Sequence, residues 1–519
     1  MPATAARKDS VGLKNVLEGA SKARRDPSAF NFINGRWQGS KSGETVANIN
    51  PATGAVLGHW PVSTKNELDA AVAAAKKAFE SWRLVPAPKR GEYLLRVHNL
   101  FLERKDVLAR VMTQEMGKVL KETKGDVQEA VDVALYFASE GRRLFGHTST
   151  SELENKFAMA VRIPVGVCGV ISPWNFPMAI PAWKIIPALL CGNTVVFKPA
   201  TDTPATATLF VEILEEAGLP PGVVNLIHGS GSGVGRWLVE HEDVRLISFT
   251  GSSDVGSRVA EGCAKTFKKV CLEMGGKNAQ LVLDDANLDL AVDGALWGAF
   301  GTTGQRCTAT SRLIVQEGIY KKFLDRLLER AANLRLGDGL NESTDVGPLV
   351  NADQLKTVEH YVAVGLKEDK AKLLSGGRRA AKGDLAKGYF HEPTIFEGTP
   401  GMRIAEEEIF GPVLTVLKVK NFDEGLKVLN ATKYGLSGSV YTQDVNRVMR
   451  AIRDMETGIT YINAPTIGAE AHMPFGGVKQ TGNGHREVSW AALEVFTDWK
   501  AVYVDYSGRL QRAQIDTEG

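Results

Sequence analysis

From about Arg162 onward the apolar positions switch repeatedly between the two-residue period of a strand and the 3.6-residue period of a helix. Val161–Ile171 predicts a strand, Trp183–Leu190 a helix, Thr194–Lys198 a β-branched strand, and Pro204–Ala217 an amphipathic helix stopped by Gly218. Val223–Ile227 then predicts a strand, Gly233–Glu240 a helix, Val244–Phe249 a strand, Val255–Lys265 a helix and Lys269–Leu272 a strand. Strand and helix in alternation point to a parallel sheet covered by helices on both faces. Past Gly275-Gly276 the alternation resumes, with a strand at Arg312–Val315. Tyr320, Phe323, Leu324, Leu327, Leu328 and Ala331 then form one apolar helical stripe. Leu414–Val419 (strand), Phe422–Leu429 (helix), Ser437–Tyr441 (strand), Val445–Met455 (helix) and Ile459–Ile462 (strand) complete it. The pattern predicts two consecutive parallel-sheet α/β domains joined near Gly275-Gly276.

A chain of 519 residues is too long for one simple core, which agrees with this division. A net charge of +2 gives no reason to expect nucleic acid or an anionic membrane as partner. No apolar run reaches the length of a membrane span. The five cysteines are few, odd in number and never spaced as CxxC, so free thiols in a reducing, cytoplasmic setting are expected. The first 29 residues mix basic side chains with Asp9, Glu18 and Asp26 and have no apolar core. They are read as a surface extension with a short helix near Val11–Lys22 rather than a secretory signal.

The candidate chemistry lies in glycine- and proline-rich segments. Cys307 follows Gly301-Thr302-Thr303-Gly304-Gln305-Arg306, a polar loop unlike the apolar settings of Cys168, Cys191, Cys263 and Cys271. Adjacent Arg306 is expected to favour its thiolate. Glu273 ends an apolar strand before two glycines, and Asn175 lies in Ser172-Pro173-Trp174-Asn175-Phe176-Pro177. A thiol, a carboxylate and an amide are the groups needed to attack a carbonyl, hold its oxyanion and activate water. Lys198, the Gly229–Gly235 run and Phe249-Thr250-Gly251-Ser252 stand at strand ends, where free helix N-termini receive phosphates. For the glycine segments a packing turn is an equally simple reading, and for Lys198 taken alone a solvated loop lysine is the simpler one. The nine histidines show no metal-binding spacing, and no metal is assigned.

Taken in order, Pro-Trp-Asn-Phe-Pro, Phe-Thr-Gly-Ser, Leu-Glu-Met-Gly-Gly-Lys, Gly-Gln-Arg-Cys, Glu-Ile-Phe-Gly-Pro and Pro-Phe-Gly-Gly resemble the aldehyde dehydrogenase superfamily, from about Phe32 to about Tyr503. The resemblance implies a Rossmann-like cofactor domain, a catalytic domain and a β-arm for oligomerisation. In these terms 1–29 is the extension, 30–145 with 163–275 the dinucleotide-binding domain, and 276–485 the catalytic domain. Segments 146–162 and 486–519 are then the arm and tail. It implies Cys307 as nucleophile, Asn175 with the Cys307 backbone N–H as oxyanion hole, and Glu273 as general base. It also implies Lys198 and Glu408 at the ribose, Gly251 and Ser252 at the pyrophosphate, and Trp174 and Phe410 near the nicotinamide end. Phe475 is implied as a wall of the substrate tunnel.

One position departs from the family pattern. Many NAD-preferring relatives carry Glu three residues after the strand-end lysine, and here that residue is Thr201, followed by Asp202. NAD or NADP is therefore expected as cofactor. The activity implied is oxidation of an aldehyde to its acid through a thiohemiacetal and a thioester on Cys307. A CoA-acylating enzyme, an aldehyde-forming reductase and a catalytically idle homologue are the alternatives. The Cys307–Ser311 run and Asn463-Ala464-Pro465-Thr466 resemble relatives that oxidise carboxylate-bearing semialdehydes, such as 2-oxoglutarate semialdehyde. A small-molecule substrate and a homodimer or homotetramer complete the expectation.

Overall fold

A computed structural model describes residues 30–516. The helix expected at Val11–Lys22 lies outside them. Two seven-stranded sheets organise the molecule. The first runs Lys269–Glu273, Val244–Thr250, Val167–Ile171, Thr194–Lys198, Val224–Leu226, Asn31–Ile33 and Arg36–Gln38. Its first five strands are parallel, and the last two add an antiparallel edge. Strand order reverses on either side of Val167–Ile171, which creates the crevice where doubly wound sheets bind ligands.

Register decides which residues meet there. Ile171 pairs with Lys198, Phe249 with Ile171, and Thr250 with Glu273. The carboxyl ends of four strands thus finish at one level. They carry Trp174 and Asn175, Lys198, Gly251 and Ser252, and Glu273 to the same edge of the sheet. Val167–Ile171 and Thr194–Lys198 are buried along their whole length, as a central parallel strand must be. The adjoining helix Ala179–Leu190 is buried on every side, Lys184 included.

The chain crosses to the second sheet through Gly275-Gly276. That sheet runs Lys372–Ser375, Thr394–Gly398, Val413–Val419, Thr310–Gln316, Asn278–Val282, Ser437–Tyr441 and Ile459–Ile462. All neighbours are parallel except the antiparallel pair at its first edge. Cys307 precedes one central strand and Glu273 precedes its neighbour. The site therefore sits between the carboxyl ends of one sheet and the amino ends of the other.

The helix Lys65–Trp82 packs on one face of the first sheet, and Ala87–Met116 and Leu120–Glu140 pack together over the helices Ala179–Leu190 and Pro204–Glu216 on the other. A capping box joins Thr64 and Glu67 at the start of the first. Glu115, near the end of the second, accepts from the Ala205 and Thr206 backbone N–H groups at 2.7 and 2.8 Å. It thereby caps the helix Pro204–Glu216 from a distance.

One strand expected over Val161–Ile171 is two. Gly166, at φ +134°, breaks it into Lys156–Pro164 and Val167–Ile171, which belong to different sheets. Lys156–Pro164 joins His147–Thr150 and the final strand Thr497–Asp505 in a separate three-stranded antiparallel sheet. Phe157, Ile163, Trp499, Tyr503 and Val504 are exposed on it. Among the described residues no helix is long and apolar enough to cross a membrane.

Candidate active site

The helix Leu288–Phe300 ends in a tight turn at Gly301–Gly304, in which Thr302, Thr303 and Gly304 take φ of 53°, 59° and 70°. Only glycine fits at 304, where a Cβ would lie 2.1 Å from the Gly411 carbonyl oxygen. The turn delivers Gln305, Arg306 and Cys307 to the interface of the two sheets. Asn175 is buried and donates from Nδ2 to the Gln305 carbonyl at 3.1 Å. Asn278 Nδ2 donates to the Cys307 carbonyl at 2.7 Å. Gly276 makes room for that carbonyl, since a Cβ there would approach it to 2.6 Å.

The setting of the thiol corrects one expectation. Arg306 does not promote ionisation of Cys307. Its guanidinium donates to Glu122 at 3.0 Å and to Thr302 Oγ1 at 2.9 Å, between the rings of Phe176 and Trp297. Burial, with Glu273 and Glu408 nearby, pushes the Cys307 pKa up to about 12. The thiol is half-buried on the cavity wall.

Glu273 is the last residue of its strand and is buried. Neither carboxylate oxygen has a hydrogen-bond partner among the described residues. Its backbone is clamped on both sides, by the Gly251 N–H to its carbonyl at 3.1 Å and by a bridge to Gly482. Burial and the nearby Glu487 carboxylate raise its pKa well above the usual carboxylate range, opposed by Lys184 and Arg486. Lys184 and Glu487 form a buried ion pair behind it, and Lys184 also donates to Ser248 Oγ at 3.1 Å. The sequence reading missed this pair. A single lysine within the wholly apolar run Ala179–Leu190 was the available signal.

The crevice on the other side of Cys307 holds the remaining candidates. Lys198 is buried at its strand end, and burial lowers its pKa to about 8 against the influence of Asp202. Thr201 is exposed in the following turn. Asp202 is turned to Asn351, whose Nδ2 donates to it at 2.8 Å. Ser252 caps the helix Ser253–Ala264 by accepting from Val255 N–H, and Gly251 precedes it. Glu408 accepts from Gly276 N–H at 3.0 Å, and burial lifts its pKa to about 7. Phe410, at φ 57°, stands edge-on to Trp174 with ring centroids 5.4 Å apart. Thr250 Oγ1 is buried without a partner among the described residues. An orphaned hydroxyl, an ammonium, a carboxylate acceptor and a helix N-terminus at a topological switch point suit a dinucleotide. Within the Gly229–Gly235 run, Gly231–Gly235 forms a π-helical turn that leads into the helix Arg236–Glu240, capped by Ser230 Oγ accepting from Gly233 N–H at 2.9 Å.

A cavity of about 1120 Å³ is lined by Cys307, Glu273 and Thr250. Phe176, Ile180, Trp183 and Phe475 line its inner part, with Phe475 packed on Trp183 at 4.6 Å between centroids. Glu129 also lines it, a residue that no motif singles out. Burial and the neighbouring Asp126 raise its pKa to about 8.

The model of the aldehyde dehydrogenase family matches residues 37–502. The α-ketoglutaric semialdehyde dehydrogenase of Bacillus subtilis is 43% identical over 477 residues, covering 92% of this chain and 98% of that protein. The α-ketoglutarate semialdehyde dehydrogenase of Haloferax volcanii is 43% identical over 484 residues, covering 93% of this chain and 100% of that protein. Among solved structures, the betaine aldehyde dehydrogenase of Staphylococcus aureus in complex with NAD+ superposes with a TM-score of 0.92 at 34% identity. The match covers 96% of this chain and 98% of that one.

Proposed function

The chain belongs to the aldehyde dehydrogenase family, and we propose that it oxidises an aldehyde to the carboxylic acid with NAD or NADP, using Cys307 as nucleophile. The observation that carries this reading is the place of the Cys307 loop. It sets Cys307 on a cavity lined by aromatic side chains, beside the strand ends of the first sheet, with Asn175 bonded to Gln305 and Glu273 close by.

The aldehyde enters the cavity along Phe176, Trp183 and Phe475. Cys307 gives up its proton to solvent water as its sulfur bonds to the carbonyl carbon. The resulting oxyanion takes the place of the Gln305 carbonyl as acceptor for Asn175 Nδ2, together with the Cys307 N–H. Lys198, Ser252, Glu408, Trp174 and Phe410, with Thr201 and Gly251 in the adjoining turns, are the residues that would hold the cofactor. NAD or NADP bound there supplies the hydride acceptor. Cys307 retains the acyl group as a thioester. Glu273 takes a proton from water, whose oxygen attacks the acyl carbon and frees the acid and the Cys307 sulfur.

In this reading residues 30–145 and 163–275 bind the dinucleotide and 276–485 complete the catalytic wall. The three-stranded sheet, an exposed edge rich in apolar side chains, joins subunits into a dimer or tetramer. The relatives named for α-ketoglutaric semialdehyde support an aldehyde carrying a distant carboxylate as substrate. Five free thiols support a reducing, cytoplasmic setting.

Absorbance of the reduced cofactor, followed with a panel of semialdehydes and simple aldehydes, with and without CoA, tests the reading. Cofactor reduction independent of CoA and fastest with a carboxylate-bearing semialdehyde is expected. A strict need for CoA would move the protein to the acyl-transferring class, and no reduction with any aldehyde would leave an idle homologue.

A further inference from the structure

We propose that Glu122 is a positioning residue for the Cys307 loop, holding the left-handed turn from which the thiol is presented. The proposal rests on reading Cys307 as the nucleophile.

The turn is unusual in its chemistry. Thr302 and Thr303 both adopt positive φ, a conformation β-branched residues avoid because Cβ crowds the backbone, and neither is a glycine. Such a conformation persists only where its surroundings over-determine it. Those surroundings converge on one carboxylate. Glu122 lies in the first turn of the helix Leu120–Glu140. It accepts from Thr302 N–H with both oxygens at 2.9 Å and from Thr302 Oγ1 at 3.3 Å. It also accepts from Arg306 at 3.0 Å, and Arg306 Nε returns to Thr302 Oγ1 at 2.9 Å. One carboxylate therefore fastens both ends of the Thr302–Arg306 segment, five residues that lead directly into Cys307.

The rest of the site is built around that clamp. Gly301 admits the carboxylate, since a Cβ there would lie 2.9 Å from Glu122 Oε1. Thr303 Oγ1 donates to the Gly347 carbonyl at 2.9 Å. Gln305 is tied on both sides, its Oε1 accepting from Val350 N–H at 2.9 Å and its carbonyl accepting from Asn175. Glu122 touches none of the reacting atoms in this arrangement. It acts by fixing where the Cys307 sulfur and the Cys307 N–H lie relative to Asn175. Misplacement of reacting groups by about 1 Å costs about 100-fold in rate.

The test is steady-state kinetics of Glu122→Gln, alone and combined with Thr302→Gly. The single variant is expected to lose about 10- to 100-fold in kcat, with the cofactor KM unchanged, because the crevice that binds the dinucleotide is untouched. Adding Thr302→Gly is expected to recover several-fold of that loss, because glycine takes positive φ without the clamp. Unchanged kcat in Glu122→Gln would overturn the proposal. So would a fall in kcat matched by the same loss in cofactor binding, or the absence of any recovery in the double variant. Should Glu122→Gln not fold, Glu122→Asp keeps the charge and withdraws it by one methylene. Reduced kcat with unchanged cofactor KM then supports the proposal, and wild-type kcat overturns it. Activity persisting in Cys307→Ser would instead refute the nucleophile assignment on which the proposal rests.

Discussion

The carboxylate of Glu273 occupies the space that a side chain at Gly476 would need: a Cβ built there falls 2.7 Å from Glu273 Oε1. Gly476 also holds φ +148°, where an L side chain is strained. Glu273 ends a strand of the first sheet and Gly476 follows the last strand of the second, and their fit sets where the carboxylate can point. Gly476→Ala should displace Glu273 and slow turnover by about 10-fold or more, with the pre-steady-state burst of reduced cofactor retained. Rapid-mixing absorbance checks this. A lost burst would place Gly476 in the first chemical step rather than in water activation.

The pH dependence of turnover follows from the same carboxylate. Glu273 must be ionised to accept a proton from water, and burial beside Glu487 raises its pKa. Its base form is therefore lost as pH falls through that raised value, at a pH above the range of an ordinary glutamate, about 4.3. The acid limb of the kcat profile should lie above that range in the wild type. A kcat profile flat down to pH 5 would contradict a rate-limiting role for this base.

We propose that cofactor choice turns on Thr201. No carboxylate stands at that position, and Asp202 is engaged by Asn351. NADP should be accepted alongside NAD, and Thr201→Glu should weaken NADP relative to NAD by about 2- to 5-fold, the scale of one exposed charge contact. Lys198 adds a pH signature. Its pKa is lowered to about 8, so its ammonium is lost as pH rises through that value. The KM for NADP should therefore climb more steeply than that for NAD between pH 7 and 9. Initial rates with each cofactor decide both points. A wild type unable to use NADP at millimolar concentration would show that Thr201 does not govern the choice.

The three-stranded sheet predicts assembly. Its exposed strands leave unpaired edges and apolar side chains that a neighbouring subunit would cover. Light scattering at micromolar concentration should give a multiple of 56.1 kDa. A monomer under those conditions would remove this role from the sheet.

Much of the architecture was legible because short crossovers and clean apolar periods leave little room for error. The strands at Thr194–Lys198, Ser437–Tyr441 and Ile459–Ile462 have the bounds that the pattern predicts. The helices Ala87–Met116 and Leu120–Glu140 were not read. Their buried faces include Arg90, Glu115 and Asp126, and the connection between them buries Lys118, polar residues whose partners are visible only in three dimensions. Lys118 is paired with Asp126 at 2.8 Å, and Glu115 with groups 90 residues away. The site divides in the same way. Cys307 and Glu273 stood out by their glycine-rich settings, whereas the effect of Arg306 was misjudged because Glu122, which holds it, is 184 residues distant. Glu487 and Lys184 were hidden for the same reason, being brought together over 303 residues.

The central claim is that the acyl group passes through Cys307 and leaves by water that Glu273 activates. Mass spectrometry of Glu273→Gln, quenched after mixing with aldehyde and cofactor, tests it most directly. The peptide bearing Cys307 should gain the mass of the aldehyde less two hydrogens, the signature of a thioester, and Cys307→Ser in the same background should gain nothing. An adduct on another cysteine, or no adduct while reduced cofactor forms in a burst, would contradict the account.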